Sequence, residues 1–227
     1  MTRKTDKYAQ FADHPRYGRR PNVSGLNPSP MDRNVRLHWN ATSHKEIVSQ
    51  YQAVVGKEWP YGDCSEYCDR TRRIPNTAIT ADLSRQTPAT VSVTHYFDLE
   101  RQCRDCSRPF IFFAEEQRYW YEELGFGLES DCVRCADCRK RQQGIARHRE
   151  TYESLFHVAN KTDKQTLEMA DACLWLIEQD VFTTRQTERV RMLLNSIPED
   201  ADIRKRTRCS DLFSRVLAAE ADRGEAG

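Results

Sequence analysis

The sequence predicts an α+β fold: a small cysteine-rich unit with an inserted helix, a helical unit after it, and a largely extended basic arm before it. Three observations carry this prediction. Two C-x-x-C motifs flank a strand pattern and a helix pattern between residues 103 and 138. Helical periodicity and capping patterns dominate the chain after that cluster. The first 45 residues contain turn formers and basic side chains without an apolar period.

The first predicted element is an extended, loosely held arm over residues 1–45. Proline and glycine recur along it, and basic residues outnumber acidic ones. The arm is therefore the first candidate for nucleic-acid contact, and the side chains concerned are Arg16, Arg19 and Arg20. A solvated tail is the alternative interpretation.

A short helix and a linker are predicted over residues 46–90. Ser43 can cap the helix, while Val48, Tyr51 and Val55 give it a partial helical spacing. The linker that follows is polar and contains proline, so no further regular element is expected before residue 91.

Two cysteines in this linker have i, i+4 spacing. On a helix, that spacing would place the thiols of Cys64 and Cys68 on one face. They could form a second metal site that Cys132 or a histidine completes. The alternative is that they are two half-buried cysteines without a ligand.

The cysteine-rich domain is predicted over residues 91–143. Its first strand covers residues 91–99, where apolar and polar side chains alternate. A second strand over residues 109–113 and a helix over residues 114–124 follow the first C-x-x-C motif, and Gly125 is expected to end the helix. Because so small a domain buries little surface, we expect aromatic side chains and a bound metal to stabilise it together.

The two C-x-x-C motifs predict a zinc site. Each motif directs two thiolates at one ion, and zinc favours four such ligands in a tetrahedron. The predicted ligands are Cys103, Cys106, Cys135 and Cys138. Four thiolates close the coordination shell, so we expect one structural Zn²⁺ rather than a catalytic one. The chain has nine cysteines, an odd number that cannot pair fully as disulfides.

The second ligand pair has an ambiguous register. Cys132 precedes Cys135 by the same spacing that separates Cys135 from Cys138. The residues alone therefore allow Cys132 to replace Cys138 as the fourth ligand.

Residues about 95–143 resemble the bacterial probable zinc-ribbon family. The similarity lies in an aromatic strand, a C-x-x-C turn, a phenylalanine-rich strand, an AEEQ-xx-W-Y helix segment, a GF turn and a closing C-x-x-C-R. It implies a small four-cysteine zinc ribbon with an inserted helix, closed by Cys135 and Cys138, and no established biochemical role. Ser107 departs from the glycine that commonly eases such a zinc turn.

A helical hairpin or three-helix unit is predicted over residues 144–222. A basic helix over residues 139–156 leads into it, although Gly144 weakens that helix by about 1 kcal/mol relative to alanine. Three patterns can begin the helices that follow: capping boxes at Thr162 and Thr183, and a Ser-Asp cap at Ser210.

The leading helix opens with the second basic run of the chain. Arg139, Lys140 and Arg141 could neutralise phosphates, or they could form a solvated helix face beside neighbouring glutamates. The aromatic run over residues 119–121 could stack on bases. Helix geometry, however, directs consecutive side chains about 100° apart, so part of this run is expected to pack in the core.

These patterns favour a non-enzymatic protein. The sequence has no nucleophile elbow, phosphate-binding glycine loop or H-E-x-x-H motif. We expect a zinc-binding adaptor whose zinc domain presents a surface to protein or nucleic acid, with no small-molecule substrate. The alternative is a thiol-redox or redox-sensing protein that uses the spare cysteines. A redox C-x-x-C normally opens a helix, whereas Pro109 and a strand follow Cys106.

Location is predicted from two absences in the sequence. The first ten residues carry no signal-peptide pattern. No window approaches the roughly 20 apolar residues of a membrane span. We therefore expect a soluble, cytoplasmic protein without a membrane partner.

Overall fold

The structure of this chain is a computed structural model, and it describes residues 6–29, 32, 34–37, 44–60, 62–63, 72–88, 92–205 and 207–225. It contains helices and small antiparallel sheets, which confirms the predicted α+β class. The chain divides into two compact units, Met1–Arg139 and Lys140–Gly227. In the part of the chain that is described, no helix is both long enough and apolar enough to cross a membrane.

The first unit begins with an irregular segment and one helix, α1, at His44–Val55. Its predicted capping residue, Ser43, lies outside the described residues. Five short strands follow: β1 Arg72–Arg73, β2 Ile79–Thr80, β3 His95–Tyr96, β4 Leu99–Gln102 and β5 Pro109–Phe112. Helix α2 spans Ala114–Arg118, and a π-helical turn, Tyr119–Glu123, extends it.

The strands form two small antiparallel sheets. One has the strand order β1-β4-β5, and the other pairs β2 with β3. In the β4–β5 hairpin, Leu99 lies opposite Phe112 and Gln102 lies opposite Pro109. The first C-x-x-C motif therefore forms the turn of this hairpin, as the strand pattern after Cys106 indicated.

The single strand predicted over residues 91–99 is wrong in its extent. Residue 91 lies outside the described range, β3 has two residues, and β4 begins only at Leu99. Between these strands the alternation of burial breaks down, because Tyr96, Phe97 and Asp98 are all buried. Tyr96 packs with Tyr121 in one cluster, whereas Phe97 packs in another, so both sides of this segment are covered.

Asp98 connects three parts of the first unit. Its carboxylate accepts hydrogen bonds from the backbone N–H groups of Asn22 and Ala114, each at 2.7 Å. Its own N–H donates to the Thr77 hydroxyl at 3.0 Å, and its carbonyl accepts the N–H of Ile74 at 2.9 Å. Burial raises the pKa of this carboxyl to about 6, against the two backbone donors that lower it. The side chain and backbone of this one residue thus hold the arm, the segment after β1 and the first turn of α2 together.

The arm packs on the hairpin. Phe11 is buried in a cluster with Ile111 and Phe113. The N–H of Ala12 donates to the carbonyl of Pro109 at 2.8 Å, at the outer edge of β5. The described part of the arm includes a 3-10 turn at Lys7–Gln10, and the expected loose attachment is wrong for this part. The reason is physical: isolated apolar residues fill gaps between strands without producing any period in the sequence.

The second unit is built from four helices in the described part. They are α3 Ala136–Phe156, α4 Asp163–Glu178, α5 Thr187–Ser196 and α6 Thr207–Glu225, the first of which begins in the first unit. Leu174 and Leu194 are fully buried in a core to which α4, α5 and α6 all contribute. The capping box at Thr162 is confirmed: its hydroxyl accepts the N–H of Gln165, and its N–H donates to the Gln165 side chain at 2.9 Å.

Two other predicted helix starts are wrong. Thr183 makes no capping hydrogen bond, and a 3-10 turn, Thr184–Gln186, precedes α5. Helix α6 begins at Thr207, earlier than the expected cap at Ser210. The Ser210 hydroxyl donates to the Thr207 carbonyl at 2.7 Å, so it is satisfied inside the helix rather than at its end.

Gly144 is required by packing with a neighbouring helix. A Cβ atom at this position would lie 2.8 Å from the edge of the Trp175 indole. The indole in turn stacks on His148, with ring centroids 4.3 Å apart. The residue that weakens α3 by its intrinsic propensity therefore makes room for α4.

The packing at Gly144 predicts that an alanine there destabilises the protein, whereas helix propensity alone predicts that it stabilises the protein. Gly144→Ala should lower the free energy of unfolding by about 1 kcal/mol, because the indole must shift. Propensity alone would raise it by about 1 kcal/mol. Urea denaturation followed by circular dichroism measures the difference. In a Trp175→Leu background, the same change should be stabilising, since leucine lacks the far edge of the indole. A stabilising effect in the unmodified background would contradict the close contact.

Candidate metal centre

The four predicted ligands converge on one point. The Sγ atoms of Cys103, Cys106, Cys135 and Cys138 all lie within 4.8 Å of one another. The Sγ atoms of Cys106 and Cys135 are 3.8 Å apart. Tetrahedral zinc with Zn–S bonds of about 2.3 Å places its sulfurs about 3.8 Å apart. The cluster therefore fits one zinc ion, held by the four cysteines that the motif spacing indicated.

The hairpin turn positions the first ligand pair. The N–H of Cys103 donates to the carbonyl of Arg108, and the N–H of Ser107 donates to the carbonyl of Cys103, each at 2.9 Å. Ser107 has a φ of +58°, in the left-handed region that glycine adopts without cost. The serine noted as a departure from the usual zinc turn is thus at a position where the backbone itself favours glycine.

The beginning of α3 positions the second pair. The helix starts at Ala136, between the two ligands, and the N–H of Arg139 donates to the Cys135 carbonyl at 3.0 Å. The N–H of Cys138 donates to the Cys135 sulfur. A helix N-terminus carries partial positive charge, which stabilises thiolates. The second pair therefore lies at a helix end, whereas a ribbon would place both pairs on turns.

Backbone donors and neighbouring thiols act in opposite directions on the four sulfurs. Burial acts to raise the pKa of Cys103, but the N–H groups of Cys106, Cys135 and Asp105 outweigh it and lower the pKa to about 6. Burial and the adjacent thiols raise the pKa of Cys135 and of Cys138. Four thiolates at this spacing repel one another, so a divalent cation is needed to hold all four in the ionised form.

Arg108 lies beside the most exposed ligand. Cys103 and Cys135 are buried, whereas Cys106 is exposed. The Arg108 guanidinium donates to the Cys106 sulfur and, at 2.9 Å, to the carboxylate of Asp137 in the first turn of α3. It therefore covers the exposed thiolate and links the hairpin turn to the helix.

A second arginine makes a similar link. Arg134 donates through Nε to both carboxylate oxygens of Asp105, at 2.9 Å each. The N–H of Arg104 donates to the carbonyl of Val133 at 2.9 Å. Sequence reasoning missed Arg108 and Arg134. The signal that could have found them is the presence of opposite charges next to the ligands of the two motifs.

Cys132 is a core residue outside the ligand cluster. It packs with Phe110 and Phe112, and its Sγ donates to the Arg134 carbonyl at 3.4 Å. Burial raises the pKa of its thiol to about 12. Among the described residues, the ambiguity of register is thus resolved in favour of Cys135 and Cys138. Cys64 and Cys68 lie outside the described residues.

Arg139, one of the basic residues predicted to contact nucleic acid, is directed inward. Its guanidinium forms an ion pair with the buried carboxylate of Glu116 and lies 5.2 Å from the ring centroid of Trp120. The Nε2 atom of His14 lies 3.5 Å from the same carboxylate. The Glu116 carboxylate therefore connects α2 to the start of α3 through Arg139 and to the arm through His14.

The other predicted nucleic-acid contacts lie in varied surroundings. Arg19 and Arg20 form ion pairs with aspartates of the arm at 3.0 and 2.6 Å. Arg141 donates to the carbonyl that follows α4 at 2.8 Å. Arg16 lies over an aromatic ring at 5.4 Å, and Lys140 is exposed. Several of these cations thus have partners within their own unit.

The zinc content of cysteine variants distinguishes the four ligands from Cys132, which lies outside the cluster. The full chain should carry one zinc per molecule, measured by metal analysis of the purified protein. Cys138→Ala should lose this zinc and unfold the zinc domain, because the metal supplies much of its folding energy. Cys132→Ala is the matched control: it should keep one zinc and lose only about 1 kcal/mol of stability. Loss of zinc from the Cys132 variant, with retention in the Cys138 variant, would reverse the assignment.

The covering of Cys106 by Arg108 predicts an effect on zinc release. Arg108→Leu should weaken zinc binding by about tenfold, because outer hydrogen bonds to a ligand of this kind support its affinity for the metal. Competition with a chromogenic chelator measures the change. Arg104→Leu, at an exposed arginine between the two ligands of the turn, is the control and should leave the affinity unchanged. Equal losses in both variants would refute a specific role for Arg108.

Comparison with known proteins agrees with this geometry. Residues 97–147 match a family described as a probable treble clef domain. No curated protein and no solved structure matches the chain. The matched segment contains the hairpin, α2, the four cysteines of the metal cluster and the first part of α3. The match confirms the resemblance of this region to a zinc-binding family. The family is described as a treble clef, whereas the sequence resemblance implied a ribbon. About a fifth of the chain is therefore similar to a treble clef zinc domain, with a site for one zinc ion.

Proposed function

We propose that this chain is a non-enzymatic adaptor whose zinc domain presents a surface to another protein. The observation that carries the proposal is the convergence of four thiolates on one point. Zinc bound by four thiolates keeps no open position for water or substrate. The metal then serves to hold the hairpin to α3, and the function depends on the surface that this cross-link stabilises.

Ion pairs around the metal support a protein partner over a nucleic acid. Arg108 and Arg134 bind Asp137 and Asp105, and Arg139 binds Glu116. Binding to a phosphate backbone depends on lysine and arginine side chains that are available to form ion pairs with phosphates. Guanidinium groups already paired with carboxylates are poorly suited to this exchange. The formal net charge of the whole chain, +1, gives no additional attraction.

Exposed apolar side chains near the end of α2 supply a candidate contact surface. Tyr119 is 46% exposed, Leu124 47% and Phe126 41%. They lie in the segment where the π-helical turn ends and Gly125, with a φ of +67°, reverses the chain. Aromatic residues are enriched in the centres of protein interfaces, and an exposed apolar patch often marks one.

A thiol-redox function has less support from the described cysteines outside the metal cluster. The thiolate is the reactive form, and it needs exposure. Cys132 and Cys173 are buried, and burial raises their pKa values to about 12 and about 11. Cys209 is buried as well. These residues have the environment of core side chains.

The proposal predicts a protein partner whose capture depends on the apolar surface. The zinc-loaded full chain should retain a partner from its native source after nuclease treatment, and Phe126→Ser should lose it. Quantitative mass spectrometry compares the two captures. Leu26→Ser, at a side chain of the arm with the same exposure as Phe126, is the control and should retain the partner.

Nucleic-acid binding is tested directly with the same protein. Gel shifts with single-stranded and duplex DNA and RNA at low and high salt should show no specific complex. A complex whose affinity falls steeply with salt, together with capture that nuclease abolishes, would overturn the assignment to a protein partner.

A further inference from the structure

We propose that the helical unit carries a second binding site, a groove that takes an acidic amphipathic segment of a partner protein. The groove has a volume of about 300 Å³, and the lining residues used below are Phe156, Lys161, Met169, Arg189, Met192 and Leu193. This surface belongs to α3, α4, α5 and the α3–α4 connection, so it is separate from the zinc domain.

The groove has an apolar floor and exposed apolar walls. Met169 is only 3% exposed, whereas Met192 is 72% exposed and Phe156 is 45% exposed. Methionine side chains are flexible and polarisable, and they adapt to apolar partners of different shapes. Large apolar side chains that remain exposed around a concave surface indicate an interaction site. The volume suits one or two apolar side chains of a ligand.

In the part of the chain that the structure describes, the contacts that hold Arg189 at the groove include no carboxylate. Its Nη1 donates to the Tyr152 hydroxyl at 2.6 Å, and its guanidinium lies 5.2 Å from the ring centroid of Phe156. Both partners are neutral. A guanidinium has five N–H donors in a planar array, so donors remain for a carboxylate of a ligand.

A second cation lies on the same rim. The Nζ atom of Lys161 donates to the carbonyl of Val158 at 2.6 Å, just beyond the end of α3. In the described part of the chain, the lining of the groove includes these two cations and no carboxylate. The electrostatic surface of the groove is therefore positive, which complements an acidic ligand.

Three other arginines of the helical unit have carboxylate partners. Arg191 pairs with Glu220, Arg208 pairs with Asp171 at 2.6 Å, and Arg215 binds Glu178 at 2.7 Å. These three pairs neutralise charge on the outer faces of the helices. Arg189, by contrast, has only neutral partners among the described residues, and it lies beside the exposed apolar side chains of the groove.

The chemistry of the groove specifies its occupant. An amphipathic helix can bury apolar side chains spaced i, i+3 and i+4 in a groove, as helix-in-groove complexes do. Its flanking carboxylates would then meet Arg189 and Lys161. A nucleic acid would use the cations but not the apolar floor, and so it fits these observations less well.

The test uses the zinc-loaded full chain and a defined probe. The probe is a fluorescein-labelled helical peptide of about four turns, with leucine at positions i, i+3, i+4 and i+7 and glutamate at most others. A matched peptide carries lysine in place of each glutamate. Fluorescence anisotropy should show saturable binding of the acidic peptide, and binding of the basic peptide at least about tenfold weaker.

Substitutions in and beside the groove test whether the acidic peptide binds there. Met192→Asp should weaken the acidic peptide by at least about tenfold, because it places a carboxylate in the apolar wall. Arg189→Gln should weaken it by about tenfold and reduce the dependence on salt. Arg191→Gln, two residues along the same helix at a side chain that pairs with Glu220, should leave the affinity unchanged. Circular dichroism confirms that each variant keeps its helical content.

Several results would overturn the proposal. They are equal affinity for the two peptides, no binding of the acidic peptide, and binding that Met192→Asp leaves unchanged. A dimer in sedimentation experiments that Met192→Asp dissociates would assign the groove to a second copy of this chain. Because these measurements report on the helical unit, their failure is distinguishable from failure of the partner capture proposed for the zinc domain.

Discussion

The cross-link made by one zinc ion is the constraint on which the zinc domain depends. It joins the turn of a hairpin to the first turn of a helix, and the ligands Cys106 and Cys135 are 29 residues apart in the chain. The hairpin strands have only four residues each, too few for a stable sheet on their own. The metal therefore supplies the connection that a larger apolar core would otherwise provide. Hydrogen bonds from backbone N–H groups and from Arg108 complete the surroundings of the sulfurs.

Charged residues join several segments of this domain. The chain has 35 lysines and arginines and 34 acidic residues, a composition typical of exposed surfaces. In the structure, Asp98 joins the arm to α2, and the ion pair of Arg139 with Glu116 joins α2 to α3. The carboxylates of Asp98 and Glu116 are buried, where a charged group is stable only when it has hydrogen-bond or ion-pair partners. Their contribution here is to orientation, because each one joins segments that are distant in sequence.

The metal ligands could be predicted from the sequence because their signal is local. A C-x-x-C spacing determines which thiols can reach one ion, and the capping box at Thr162 likewise needs only four residues. Cys132 could not be excluded by spacing, since its removal from the cluster depends on packing against Phe110 and Phe112. Thr183 has the same T-x-x-Q pattern as Thr162, yet a 3-10 turn replaces its capping box.

Non-local contacts account for the remaining differences. The attachment of the arm depends on single apolar residues such as Phe11, which leave no periodic trace. The need for glycine at position 144 depends on an indole from the next helix. The neutral partners of Arg189, Tyr152 and Phe156, precede it by more than 30 residues, so its surroundings cannot be read from the local sequence. In each case the decisive contact joins residues too far apart for a local pattern to show it.

Because the arm is attached to the hairpin, the segment that matches the family and the unit that packs together have different extents. The segment that resembles other proteins begins at residue 97, whereas Phe11, Ala12 and Asn22 complete the same hydrophobic and hydrogen-bonded unit from the other end of the chain. The segment that matches the family is thus smaller than the unit that packs together. A search by cysteine pattern alone would recover the metal-binding half of such a unit. The other half comes from the preceding sequence, which lies outside the segment that matches the family.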